Sequence, residues 1–245
     1  MSLVDTDWLE KNRHIPNAIF FDLDNNSKKD IGLPHMLVDM KDWEKIVSNM
    51  GIKNDDKIII YDNSDVISSC RCWFNFIYFG HKPKLIHILD GGLRKWIKEN
   101  KRVTKEISNI EKSSYKGFEK KELVKNKKLI DQNIEKQKFK VIDARSKERF
   151  EGKIPEPRKG LKSGSIKNSF CIPFNLCLNE DKTFKNKENL KTVFRACLEN
   201  INEKNIVFSC GSGVTACVLA LAYSLINDKY QPCIYDGSWA EYGLI

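Results

Sequence analysis

Short runs of consecutive apolar residues recur along the chain, and each ends at polar residues. Two of them are Lys57–Asp62 (KIIIYD) and Leu85–Asp90 (LIHILD), and between them an apolar segment of helical length runs through Tyr78 to Gly80. Short runs without polar alternation are typical of strands that are buried on both faces of a parallel sheet. The pattern therefore predicts a strand, a helix and a second strand, in that order.

The same series returns in the second half of the chain. Asn205–Cys210 (NIVFSC) precedes an apolar segment that predicts a helix through about Ile226, and Cys233–Trp239 (CIYDGSW) follows. The two series align with one another and place Asp62 opposite Cys210. A repeat at so long a spacing indicates a duplicated domain. We expect an α/β protein with two domains, each a parallel sheet flanked by helices.

The segment between the two series sets the domain limits. Residues 104–125 are rich in charge and poor in apolar periodicity, which predicts an interdomain linker. We therefore expect domains at residues 1–103 and 126–245, with Val141–Arg145 as the first buried strand of the second. The first domain has no counterpart of that strand ahead of His14. This predicts an N-terminally shortened first domain, in which either a strand is missing or the N-terminal residues adopt an unusual arrangement.

Composition narrows the class of protein. The 245 residues are 41% hydrophobic and 31% charged, which is typical of a globular protein. No apolar stretch approaches the roughly 20 residues that cross a bilayer, and no secretory signal is visible. The net charge is +9, but the lysines are spread over the whole chain, so we expect no nucleic-acid partner. We expect a cytoplasmic protein without a membrane partner, with an organelle as the alternative location.

Eight cysteines and four histidines are the candidates for metal or thiol chemistry. No CxxC pair occurs and the histidines do not fall at zinc-ligand spacings, so we expect neither a metal site nor a disulfide framework. Most of the thiols, including that of Cys217, are expected to be small buried hydrophobic groups. Cys210 differs, because it comes directly after a buried strand and before a helix. That position is the carboxyl edge of a parallel sheet, where α/β folds bind ligands.

The residues after this cysteine favour negative charge. Gly211-Ser212-Gly213 allows the backbone to curl so that successive N–H groups converge. The helix that follows adds the positive end of its dipole, which stabilises a thiolate or a persulfide anion. Thr215 is expected to orient the start of that helix. The local pattern predicts a reactive cysteine.

Cys210–Ala216 (CGSGVTA) and Asp236–Trp239 (DGSW) resemble the active-site loop and the C-terminal signature of the two-domain rhodanese family. Other segments extend the resemblance over nearly the whole chain: His14–Asp24 (HIPNAIFFDLD), Leu33–Leu37 (LPHML), Asp90–Leu93 (DGGL), Phe150–Gly152 (FEG) and Pro155–Gly160 (PEPRKG). The resemblance implies tandem rhodanese-like domains of which only the second is catalytic, through a cysteine persulfide. Asp62 agrees, since a carboxylate in place of Cys210 cannot carry a transferable sulfur.

The resemblance also implies roles for individual residues. Cys210 would be the nucleophile, and Arg149 and Arg158 match the two arginines that hold the carboxylate and keto oxygens of 3-mercaptopyruvate in this family. A guanidinium suits that task because it binds a carboxylate bidentately and keeps its charge. The remaining substrate-binding positions are those of the loop itself: Gly211, Gly213, Val214 and Thr215.

Asp24, His35 and Ser212 match a charge relay proposed for the mercaptopyruvate-using members. In such a relay the serine and the imidazole manage the proton of the substrate thiol. In the C-terminal signature, Trp239 and Tyr242 are expected at the junction of the two domains.

The residues after the cysteine bear on the sulfur donor. Gly211-Ser212 is similar to family members that use 3-mercaptopyruvate, whereas thiosulfate-type members usually have Arg-Lys there. The resemblance implies transfer of sulfur from 3-mercaptopyruvate through a Cys210 persulfide to cyanide or to a thiol acceptor such as thioredoxin, with release of pyruvate and without a cofactor or metal. Thiosulfate sulfurtransfer and a noncatalytic rhodanese-like binding protein are the alternatives. A related phosphatase would need an arginine where Ala216 stands.

Overall fold

Two parallel sheets, one in each half of the chain, organise the fold. The structure is a computed structural model that describes residues 13–245. The described chain divides into two units. The first contains the residues through Asp30 and then Leu37–Lys120, and the second contains Ile31–Met36 and Lys121–Ile245.

The first unit is built around a pair of parallel strands. In chain order its elements are α1 (Met40–Asn49), β1 (Ile58–Ile60), α2 (Ser69–Tyr78), a 3-10 turn (Pro83–Leu85), β2 (Ile86–Ile88) and α3 (Gly92–Lys98). All ten residues of α2 are buried, including the polar Ser69, Arg71 and Asn75, and the other seven are apolar. Trp43 of α1 stacks on Phe79, with ring centroids 4.8 Å apart. The core of this unit is therefore strongly aromatic.

The second unit contains a five-stranded parallel sheet in the order β3-β7-β6-β4-β5. Its central strands β4 and β6 are almost fully buried, as expected for a sheet covered on both faces. The elements in chain order are a 3-10 turn (Lys121–Leu123), β3 (Val124–Lys125), α4 (Lys127–Lys136), β4 (Lys140–Asp143), α5 (Lys147–Phe150), β5 (Phe170–Cys171), a 3-10 turn (Phe174–Cys177), α6 (Lys187–Arg195), β6 (Ile206–Ser209), α7 (Ala216–Ser224), β7 (Ile234–Tyr235) and α8 (Ser238–Tyr242).

The internal repeat extends to individual hydrogen bonds. The N–H of Leu93 donates to the carbonyl of Asp62 at 3.0 Å, and the N–H of Trp239 donates to the carbonyl of Cys210 at 2.9 Å. Each carbonyl follows a strand, β1 or β6, and each donor lies at the start of a helix, α3 or α8. Asp62 and Cys210 therefore occupy equivalent positions, as the sequence alignment predicts.

The charged segment at residues 104–125 is divided between the two units. Phe118 donates from its N–H to the carbonyl of Phe79 at 3.0 Å, and Lys120 donates to the carbonyl of Tyr78 at 2.8 Å. Val124 and Lys125 form β3, which pairs with β7. This finding differs from the separate linker that the charge pattern predicts, because charged side chains do not prevent backbone pairing at an edge.

The two sheets differ in size. Within residues 13–120 the sheet consists of β1 and β2, whereas the second unit has five strands. This fits the expectation of a smaller first sheet. Residues 1–12, which include part of the segment on which that expectation rested, lie outside the described residues. None of the described helices is long and apolar enough to cross a membrane.

The prediction that Trp239 lies at a domain junction is wrong. Its side chain is 1% exposed in the core of the second unit, where Val141, Val207 and Tyr235 belong to the same cluster. Tyr242 packs against this cluster as well. The indole N–H of Trp239 donates to the carbonyl of Lys162 at 2.9 Å, which satisfies the polar atom of a buried ring.

Candidate active site

Cys210–Thr215, which we call the cysteine loop, connects β6 to α7. Cys210 is 2% exposed, and its N–H donates to the hydroxyl of Ser238 at 3.1 Å. The carbonyl of Gly211 accepts from the N–H of Ala240 at 2.9 Å. Gly213 has a φ of +77°, which glycine adopts without strain. The loop is thus fixed at its base by the start of α8 and turned by a glycine.

The backbone of this loop is suited to an anion. Among the described residues, nothing accepts a hydrogen bond from the N–H groups of Gly211, Ser212, Val214 and Thr215. They lie just before α7, a helix of nine residues, whose N-terminus also favours negative charge. The side chain of Thr215 makes no capping hydrogen bond and its backbone is already helical. The expectation that its side chain orients the helix is therefore wrong; at this position the backbone N–H is the available group.

Two arginines reach the cysteine loop at Gly211. A Cβ atom on this glycine would lie 3.3 Å from Nη2 of Arg149 and 3.6 Å from Nη1 of Arg158. Arg149 lies on the short helix α5, whose start is capped by the side chain of Ser146. The absence of a side chain at Gly211 lets both guanidinium groups approach the backbone closely. The structure thus places Arg149 and Arg158 next to Gly211, the residue after Cys210, although more than 50 residues separate the arginines from it in the sequence.

Ser212 makes polar contacts with two further candidate residues. Its hydroxyl lies 2.9 Å from Nδ1 of His35 and accepts a hydrogen bond from Nη2 of Arg158 at 3.4 Å. His35 has a φ of +60°, an uncommon conformation for a residue with a side chain. It belongs to Ile31–Met36, the segment that groups with the second unit. The sequence division assigns His35 to the first domain, whereas the structure groups it with Ser212.

Asp24 lies in the first unit, in a turn where its carbonyl accepts a hydrogen bond from Nζ of Lys29 at 2.7 Å. Its side chain is half-buried. A relay contact between Asp24 and His35 stays a prediction that rests on the family resemblance.

Arg145 and Glu156 were missed by the sequence interpretation. The Glu156 carboxylate lies between Arg145 and Arg149 and accepts hydrogen bonds from both. Burial alone would lower the pKa of Arg145, but the carboxylates of Asp143 and Glu156 raise it above its ordinary value. The available signal was the pair of arginines, Arg145 and Arg149, between two acidic residues, Asp143 and Glu156, although only folding shows which charges are buried.

The other thiols of this unit serve packing. Cys217 lies in α7 with no exposed surface, and its thiol donates to the carbonyl of Gly213 at 3.2 Å. Cys171 lies at the end of β5, and burial together with the Asp143 charge raises its pKa to about 12. Burial also raises the pKa of Cys177 to about 12. Thiols with such values stay protonated at neutral pH and are poor nucleophiles.

Both halves of the chain match one known protein domain. The model of the rhodanese-like domain matches residues 3–99 and again residues 126–244. The chain belongs to the rhodanese-like family. Both halves match, which agrees with the duplication, and in the second match the cysteine loop precedes α7.

Relatives of this rhodanese-like protein are sulfurtransferases. A mitochondrial thiosulfate/3-mercaptopyruvate sulfurtransferase of Arabidopsis thaliana is 39% identical over 94% of this chain, which spans 65% of that relative. A bovine (Bos taurus) thiosulfate sulfurtransferase is 36% identical over 94% of this chain and 77% of its own length. The crystal structure of a 3-mercaptopyruvate sulfotransferase from Escherichia coli is similar with a TM-score of 0.82 and 28% identity, over 96% of this chain and 85% of that one.

Proposed function

We propose that the protein transfers sulfur from 3-mercaptopyruvate through a persulfide on Cys210. The observation that carries this proposal is the approach of Arg149 and Arg158 to the backbone at Gly211, directly after the cysteine. Two fixed positive charges beside a nucleophile suit a small anionic donor with a carboxylate and a ketone. The family assignment supports the reaction class.

The first half-reaction moves one sulfur atom. The Cys210 thiolate attacks the sulfur of the donor, an S–S bond forms, and the C–S bond breaks with its electron pair going to carbon. The carbon fragment leaves as the enolate of pyruvate and takes up a proton. Arg149 and Arg158 would stabilise the carboxylate and the charge that develops on the keto oxygen. The N–H groups of Gly211, Ser212, Val214 and Thr215 would hold the persulfide anion.

A proton relay accompanies this step. The hydroxyl of Ser212 and the imidazole of His35, 2.9 Å apart, would exchange a proton with the donor thiol and the departing enolate. Asp24 would complete the relay by orienting the imidazole.

The second half-reaction regenerates the thiolate. An acceptor thiol or cyanide attacks the outer sulfur of the persulfide and carries it away. We propose thioredoxin or a small thiol as the acceptor, and no cofactor or metal takes part. We also propose that the first domain, residues 1–103, is noncatalytic because Asp62 replaces the nucleophile. The expected location is the cytoplasm, with an organelle as the alternative because one relative is named as mitochondrial.

Thiosulfate is the second candidate donor. It would use the same persulfide route, and the names of the relatives include both donors. Gly211 and Ser212 add no positive charge next to the cysteine, and a dianionic donor would gain from such charge. This favours mercaptopyruvate.

One experiment separates these functions. Purified protein is incubated with 3-mercaptopyruvate or with thiosulfate, and intact mass spectrometry measures the addition of one sulfur atom. A thiol acceptor is then added, and pyruvate and sulfide are measured. We expect a persulfide on Cys210 with mercaptopyruvate. Faster persulfide formation with thiosulfate would make thiosulfate the preferred donor. If neither donor forms a persulfide, the remaining alternative is a noncatalytic binding protein.

A further inference from the structure

A buried carboxylate links the sheet to one of the two arginines beside the cysteine. Glu156 accepts hydrogen bonds from Nη1 of Arg145 at 2.7 Å, and from Nε and Nη2 of Arg149 at 3.2 and 2.5 Å. The Glu156 side chain is 1% exposed. Proline flanks it on both sides, which fixes φ at those two positions and limits the movement of the segment. The carboxylate therefore has little freedom to leave its partners.

Arg145 provides a rigid support for this carboxylate. It follows β4, and Asp143 at the end of that strand accepts hydrogen bonds from its Nε at 3.1 and 3.0 Å and from its Nη2 at 2.8 Å. The carbonyl of Gly164 accepts a further hydrogen bond at 2.8 Å. The guanidinium also lies over the Trp239 ring, 4.4 Å from its centroid. These contacts fix the Arg145 guanidinium relative to the sheet, and its hydrogen bond with Glu156 fixes that carboxylate in turn.

The contact with Glu156 decides which edge of Arg149 is free. A guanidinium can bind a carboxylate through its Nε–Nη2 edge or through its Nη1–Nη2 edge. Glu156 takes the Nε–Nη2 edge. The remaining edge contains the Nη2 atom that lies 3.3 Å from the Cβ position of Gly211. The unused edge therefore shares with the occupied edge the atom that lies next to the cysteine loop, Nη2.

We propose that Glu156 is a positioning residue that fixes Arg149 so that its Nη1–Nη2 edge binds the carboxylate of the sulfur donor beside Cys210. The proposal rests on the proposed function for the identity of the donor, but the geometry concerns any small carboxylate that reacts at this thiol. Glu156 does not touch the donor itself. Its effect passes through the orientation of Arg149.

A purely electrostatic role makes the opposite prediction. If Glu156 only balanced the charge of the arginines, its neutralisation would leave more positive charge near Cys210 and would increase the affinity for anions. If it positions Arg149, neutralisation releases the guanidinium and decreases that affinity. The two roles are therefore separated by the sign of the effect.

Alkylation of Cys210 tests this sign without any turnover. Iodoacetate and iodoacetamide differ in their carboxylate, and peptide mass mapping gives the rate of each at Cys210. In Glu156→Gln we expect the iodoacetate-to-iodoacetamide rate ratio to fall about tenfold, since displacement of a binding group by about 1 Å has effects of this size or larger. Glu151→Gln is the matched control, because Glu151 pairs with the exposed Lys153 and carries the same charge. A ratio in Glu156→Gln that is unchanged or higher would overturn the proposal.

Glu156→Asp keeps the charge and shortens the side chain by one methylene group, so that it cannot reach both arginines in the same geometry. We expect a smaller fall in the ratio, and this variant carries the test if Glu156→Gln does not fold. A wild-type ratio in a folded Glu156→Asp protein would count against positioning.

Steady-state kinetics of the Glu156 variants adds a second readout: KM for 3-mercaptopyruvate should rise more than kcat falls, while the discharge of a preformed persulfide stays unchanged. If the wild-type protein forms no persulfide, the proposed function fails, and the alkylation ratios still decide the role of Glu156.

Discussion

Asp62 and Cys210 occupy equivalent positions after β1 and β6, but only the first has a carboxylate side chain there. The Asp62 carboxylate accepts hydrogen bonds from the hydroxyls of Ser64, Ser68 and Ser69 at 2.5, 3.0 and 3.3 Å. The first copy therefore carries its own anion, which neighbouring side chains satisfy. In the cysteine loop, the N–H groups of Gly211, Ser212, Val214 and Thr215 have no acceptor among the described residues, and under the proposed function they would bind the persulfide anion.

At the same scale, two cysteines seven residues apart in the sequence have opposite expected roles. Cys210→Ser should abolish sulfur transfer, because a hydroxyl cannot form the persulfide. Cys217→Ser should keep the chemistry, because this residue is fully buried in α7 and a hydroxyl can donate to the carbonyl of Gly213 as the thiol does. Persulfide formation is measured by intact mass after exposure to the donor. Sulfur addition in Cys210→Ser would show that another cysteine is the nucleophile.

At the scale of elements, the central strands could be predicted closely. The runs Lys57–Asp62 and Asn205–Cys210 contain β1 (Ile58–Ile60) and β6 (Ile206–Ser209). They were visible because a strand with both faces covered has to be apolar throughout. The helix predicted through Tyr78 ends at that residue. Burial on both sides thus leaves a clear pattern in the sequence.

The edge strands and the supports of the site could not be predicted in this way. β3 and β5 have two residues each, which is too short for any periodicity to appear. Glu156 lies in an exposed-looking Pro-Glu-Pro segment, and its burial depends on contacts with Arg145 and Arg149 that no local pattern encodes. The structure grouped Ser212 with His35, whereas the sequence could pair them only through the family resemblance.

Trp239 belongs to the core of the second unit and also contacts Arg145, so its removal should affect both stability and the site. Trp239→Ala should lower the free energy of unfolding by about 3–5 kcal/mol, because it removes a large buried ring. The same change should also weaken donor binding, because Arg145 loses its stacking partner and Glu156 loses part of its support. Urea unfolding followed by circular dichroism and donor KM are the two measurements. Trp96→Ala, at a half-buried ring of α3, should lower stability less and leave KM unchanged. A wild-type KM in a folded Trp239→Ala protein would show that the packing of Trp239 does not affect donor binding.

At the scale of the whole molecule, many thiols are buried in the neutral form. Burial raises the pKa of Cys233 to about 11 and that of Cys177 to about 12, from an ordinary value of 9.0. Below the pKa of the unfolded thiol both states are protonated, and the stabilisation is complete. Above it the unfolded chain loses protons that the folded chain keeps, so stability decreases as the pH rises toward the folded values.

The protein should therefore lose stability between about pH 9 and pH 11, with each such thiol adding up to about 1.4 kcal/mol per pH unit. Urea unfolding at several pH values measures this slope. Cys233→Ala should make the slope shallower, even if it lowers stability at pH 8 by its lost packing. Ser209→Ala removes a buried hydroxyl and no thiol, so it should keep the wild-type slope. Equal slopes in Cys233→Ala and the wild type would show that Cys233 does not contribute to the alkaline loss of stability.

The chain passes through the second unit twice, first at Ile31–Met36 and again from Lys121 onward. A fragment that starts at Lys121 would retain the cysteine loop and both arginines, but not the imidazole beside Ser212. Covalent continuity with the first half keeps that imidazole at a local concentration that a separate peptide would not reach. The first half of the chain thus tethers a histidine of the second unit, and its deletion would remove a side chain from the candidate site.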